Sequence, residues 1–93
     1  MKVKGRFDHF NINVTNLDKS IQFYQTALGL HESHRKEASD GSFILVYLAD
    51  DHSNFLLELT WLRDHTEAYE LGENESHLCL RVAVSYTHLT LPT

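Results

Sequence analysis

The chain contains one cysteine, Cys79, among 93 residues. A lone thiol can build neither a disulfide framework nor a cysteine-based zinc knuckle within one chain. Basic side chains are also few, eight against thirteen acidic, for a formal charge of −5. That balance attracts neither nucleic acid nor an anionic membrane, and a small-molecule partner suits it better. Long apolar runs are missing as well. Hydrophobic residues make up 42% but are spread along the chain, which excludes both disorder and a membrane span of about 20 residues. The opening MKVKGRFDHF has the basic residues of a secretory signal with no apolar stretch behind them, so a cytoplasmic location is expected. The glycosylation-type triplets at Asn13 and Asn74 are then chance matches. The sequence also lacks a glycine-rich phosphate loop, a G-x-S-x-G elbow and a basic or aromatic stacking platform.

What is present suits one small α+β domain. In FDHFNINV the residues alternate, with Phe10, Ile12 and Val14 on one face and His9, Asn11 and Asn13 on the other, which predicts a strand with a polar second face. The period then changes: Leu17, Ile21, Tyr24 and Leu28 recur at helical spacing, with Thr15 or Asn16 as N-cap and Gly29 as the stop. LHESHRKEA reads as an exposed strand, Asp40-Gly41 as a hairpin turn into FILVYLAD, and ADDHSN as a second turn into FLLELTW. From Leu62 to Ser76 the chain is acidic and irregular. HLCLRVA then alternates again, with His77, Cys79 and Arg81 opposite Leu78, Leu80 and Val82. The expected order is β-α-β-β-β plus one further strand.

The chemistry turns on Glu58, a carboxylate inside the apolar FLLELTW. Buried and ionised it costs several kcal/mol or more unless it is paired, on the order typical of buried charges. His9, Glu58 and His77 each fall on the polar face of a predicted strand, and a curved sheet gathering those faces would bring two imidazoles and a carboxylate together. That donor set suits zinc, nickel, cobalt or iron. The competing reading is hydrogen-bonded structural histidines with no metal, and on pattern alone both stand. His31 and His34 fall on opposite strand faces by alternation, and His52 and His65 fall in turn or loop; all four read as solvated surface. Cys79 reads as a small cavity-wall residue rather than a nucleophile paired with His77.

DHFNINVTNLDKSIQFYQTALGL, followed by ELTW and YELGENESH, resembles bacterial lactoylglutathione lyases, the glyoxalase I family of the vicinal oxygen chelate (VOC) superfamily. The resemblance runs from about Arg6 to Val82. It implies a βαβββ module with the first strand of a second, and metal ligands at His9, Glu58 and His77. The metal it implies is nickel or cobalt, with zinc as a further candidate. The family's fourth ligand, a glutamate that also serves as principal base, lies on the last strand of the second module. It falls outside these residues, so this chain is expected to be inactive alone, with Glu58 as the remaining catalytic candidate. The implied reaction isomerises the hemithioacetal of methylglyoxal and glutathione, the co-substrate, to S-lactoylglutathione: the metal holds both substrate oxygens and a carboxylate moves a proton between adjacent carbons. A homodimer is expected.

Asn11, Asn13, Thr60 and Arg81 are the candidate substrate-lining residues. Two positions depart from the family, since Asn13 stands where several relatives place an arginine for the glutathione carboxylate, and Leu62 stands where a polar contact follows ELT. Arg81 is an alternative anion partner, or a surface ion pair. Other VOC chemistries, an epimerase or a dioxygenase, and a non-catalytic binding module remain as alternatives. The last ten residues, VSYTHLTLPT, resemble a translated sequencing adapter. The expected division is therefore 6–83 as the VOC part and 84–93 as a non-native tail.

Overall fold

The computed structural model describes residues 2–83; the proposed tail, 84–93, lies outside the described residues. β1 (His9–Val14), α1 (Leu17–Leu28), β2 (His31–Glu37), β3 (Phe43–Ala49) and β4 (Leu56–Leu62) follow in the expected β-α-β-β-β order. The strands form one sheet in the order β1-β4-β3-β2. β1 runs parallel to β4, with Asn11 opposite Glu58, and the other two pairings are antiparallel.

The helix starts and stops where local chemistry requires. Asn16 Oδ1 accepts from the Lys19 amide at 3.2 Å, satisfying one of the first-turn donors that have no intrahelical partner. At the other end Gly29 adopts φ 68°, a left-handed conformation that an L side chain resists. Its amide donates to Gln25 O and that of Leu30 to Tyr24 O. Leu30 is thereby turned into the core.

One sheet face is apolar and lies under α1. Leu17, Leu30, Val46, Leu48, Leu57 and Leu59 are buried there, with Ile12, Ile21, Tyr24 and Trp61 packed around them. Alternation sends the other side chains of the same strands to the opposite, polar face. β2 breaks this rule once. Glu32 pairs with Leu48 and His34 with Tyr47, so Ser33 is an extra residue, a bulge that shifts face parity. His31, opposite Ala49, and His34, opposite Tyr47, therefore share the polar face, correcting the expectation from simple alternation.

The strand expected over HLCLRVA does not form, and no helix or strand follows β4 among the described residues. Residues 78–83 instead line a cavity of about 510 Å³ with Leu28, Leu30, Leu48, Phe55 and Leu57. Leu78 and Leu80 turn toward apolar surface there, and a segment laid over a sheet face cannot join the ladder at the sheet's edge. Among the described residues no helix is long and apolar enough to cross a membrane.

Candidate metal centre

The polar face is built around Glu58. Its side chain is only 12% exposed, and His9 Nε2 lies 3.7 Å from its Oε2. No lysine or arginine comes within 4 Å of it among the described residues. Its neighbours are instead an imidazole and two hydroxyls. Thr60 Oγ1 stands 3.3 Å from Glu58 Oε1 and is also in hydrogen-bond contact with Asn11 Oδ1. One hydroxyl proton serves one of these acceptors at a time. Asn11 Nδ2 in turn donates to Asn13 Oδ1 at 2.8 Å.

His9 is held from its far side. Nδ1 sits 2.7 Å from Asp8 Oδ2, while the other carboxylate oxygen of Asp8 meets Arg6 at 3.3 Å. The hydrogen bond from His9 holds the Asp8 carboxyl below its usual range, helped by the charges of Arg6, His9 and His34. A carboxylate on one imidazole nitrogen leaves the other free as a ligand, the arrangement common around metal-binding histidines.

Tyr47, directly opposite Glu58 in the ladder, closes the site. It is buried, stacked on His34 at 4.3 Å and 9°, and meets the His9 ring edge-on at 5.7 Å. Its phenol is pushed up to about 12, first by hydrogen bonding to the Glu58 carboxylate, then by burial and the nearby negative charges. The hydroxyl therefore remains a donor facing Glu58.

Two ligands on one zinc-like ion, each at about 2.0–2.2 Å, lie roughly 3–4 Å apart. The 3.7 Å between His9 Nε2 and Glu58 Oε2 fits such a pair. Among the described residues no third His, Cys, Asp or Glu converges on it. His77 is exposed on the segment after β4, and Arg81 lines the cavity on the helix side of the sheet. Of the residues selected from sequence, His9, Asn11, Asn13, Glu58 and Thr60 share the polar face, whereas His77 and Arg81 are not brought to it. Asp8, His34 and Tyr47 were missed. Only the DH doublet was a usable signal, since Tyr47 reads as strand core and His34 is aligned by the bulge. His65, read as solvated, is half-buried with its ring 3.9 Å from that of Tyr69.

The family model of the glyoxalase/bleomycin resistance protein/dioxygenase superfamily matches residues 6–88. The chain is 37% identical over 83 residues to the lactoylglutathione lyase of Neisseria meningitidis serogroup A, covering 87% of this chain and 59% of that protein. It is 35% identical over 83 residues to a probable lactoylglutathione lyase of Synechocystis, covering 85% and 61%. The chain thus spans about three fifths of the length of these curated relatives. Its structure is similar to that of a trypanothione-dependent glyoxalase I from Leishmania major, with TM-score 0.63 and 30% identity over 72% of this chain and 50% of the other. It is similar also to methylmalonyl-CoA epimerase from Mycobacterium tuberculosis, with TM-score 0.55 and 30% identity over 61% and 38%. With the fold and the family model in agreement, the chain belongs to the glyoxalase/bleomycin resistance protein/dioxygenase superfamily.

Proposed function

We propose that these residues form the first module of a metal-dependent lactoylglutathione lyase, acting on the hemithioacetal of methylglyoxal and glutathione. The observation that carries the reading is the His9–Glu58 pair, 3.7 Å apart on a half-buried polar sheet face, in a chain similar to lyases of that name.

When bound, a divalent cation would supply Lewis-acid stabilisation of charge developing on substrate oxygens. His9 would hold it through Nε2, with Nδ1 kept on Asp8. Glu58 would contribute Oε2, leaving Oε1 beside Thr60. The carboxylate is positioned between two hydroxyl donors, Tyr47 and Thr60, without a competing cationic side chain. That placement suits a group that takes a proton from one carbon and returns it to the next. Asn11, Asn13 and Thr60 would line the substrate's polar side, and the first strand offers no arginine for the glutathione carboxylate. His77 remains the proposed third ligand. No ladder bond fixes its segment to the sheet, so assembly of the full site requires that segment to reach the polar face. Nickel or cobalt is the proposed metal, with zinc the next candidate, and the proposed setting is a cytoplasmic homodimer.

Calorimetric titration of the chain with nickel tests the centre. The expected result is one site per chain that weakens at least tenfold on Glu58→Ala; unchanged affinity would replace this reading with a non-catalytic binding module. Activity is tested by following thioester formation from methylglyoxal and glutathione with the metal-loaded protein. The likeness to the epimerase favours a second reading, proton exchange alpha to a thioester carbonyl. Solvent deuterium entering a coenzyme A thioester, with no turnover of the hemithioacetal, would select it.

A further inference from the structure

We propose that Asp8 is a positioning residue: it fixes the His9 imidazole with its proton on Nδ1 and so presents the Nε2 lone pair to the cation shared with Glu58. The proposal deepens the metal-centre reading and rests on it for its functional meaning.

Neighbouring residues within a strand point to opposite faces. Asp8 escapes this because it lies just before β1, which begins at His9. Its backbone carbonyl still accepts from the Leu56 amide at 2.9 Å, so it is anchored beside the start of β4, while its side chain is free of strand alternation. The two carboxylate oxygens are divided between partners: Oδ1 meets Arg6 at 3.3 Å and Oδ2 meets His9 Nδ1 at 2.7 Å. An ionised carboxylate can only accept, so in a neutral imidazole the Nδ1 atom must carry the hydrogen. Nε2 is then the unprotonated nitrogen, and it is the one 3.7 Å from Glu58. The same ring packs against Tyr47 in a T-shaped contact, with centroids 5.7 Å apart, which limits rotation away from this pose. Without Asp8, a neutral imidazole beside Glu58 would place its hydrogen on Nε2 and donate it to that carboxylate. The lone pair would then face solvent, and a cation would first have to break the imidazole–carboxylate hydrogen bond.

The test uses the full 93-residue chain, metal-free and labelled with nitrogen-15, at about pH 8 where an ordinary imidazole is neutral. Long-range proton–nitrogen spectra report the His9 tautomer, with His9→Gln supplying the assignment. The expected result is Nδ1–H in the parent and in Arg6→Ala, but an Nε2–H or mixed ring in Asp8→Ala. Zinc affinity should fall about 10- to 100-fold in Asp8→Ala, the range usual for a lost partner of a ligating histidine. Amide spectra of the variants show whether the fold is retained; Asp8→Asn, which keeps the shape and loses the charge, is the second variant if Asp8→Ala unfolds. An unchanged tautomer in a folded Asp8 variant overturns the proposal and leaves Asp8 as a partner of Arg6. A tautomer shift in a protein that binds no zinc, before or after Glu58→Gln, upholds the role of Asp8 on the ring and overturns the metal-centre reading instead.

Discussion

Tyr47 shows how much one residue's surroundings can alter it. In isolation its phenol ionises near 10, but beside Glu58 the value is pushed up to about 12. Since the folded value lies above the unfolded one, the protonated phenol favours the fold. That contribution is whole below pH 10 and is lost as pH rises from about 10 through about 12. Absorbance titration of the native chain should therefore show a component near pH 12 that is absent in Tyr47→Phe and returns to near 10 in denaturant. A native chain whose tyrosines ionise together would contradict the pairing with Glu58. Glu58 itself was the most legible residue of the site, because a charge inside FLLELTW demands an explanation. Tyr47 was illegible for the opposite reason: within FILVYLAD an aromatic ring looks like ordinary strand core.

At the level of elements, legibility followed periodicity. β1, α1, β3 and β4 carry regular apolar patterns, and their limits came close to those expected. β2, HESHRKE, has no apolar alternation and is exposed throughout, so nothing in its pattern fixes register and the extra residue at Ser33 stays hidden. HLCLRVA had alternation without a partner strand. Alternation tells which side chains are apolar, but the ladder makes a strand, and here Leu78 and Leu80 found a cavity wall instead. The stop at Gly29 was correctly read and yields a clean prediction. A Cβ added there meets nothing within 4 Å, so Gly29→Ala costs only the backbone penalty at φ 68°, roughly 1 kcal/mol. Urea unfolding of parent and variant should show a lower midpoint with an unchanged slope. No loss of stability would mean that the helix ends differently.

Among the described residues, one helix covers one face of a four-stranded sheet, and no element covers the polar face or pairs with the outer edges of β1 and β2. The radius of gyration, 16.1 Å, exceeds the roughly 12 Å of a compact chain of this length. Open edges pair readily with other chains, and Phe7 and Phe23 add exposed apolar surface. Sedimentation velocity should show dimers or larger species whose share rises with concentration; a monomer across the whole range would contradict this. The alternation of each strand placed His9 and Glu58 on polar faces, but not beside each other, because sequence order alone does not say that β1 lies against β4. That parallel pairing also sets an order of events in folding. β2, β3 and β4 can zip as successive hairpins, whereas Asn11 and Thr60 are 49 positions apart, so β1 docks only after a long loop closes. His9 and Glu58 are therefore brought together by a contact that closes a long loop. A cation that bridges them would act as a latch on that contact, slowing the departure of β1 far more than it speeds the arrival.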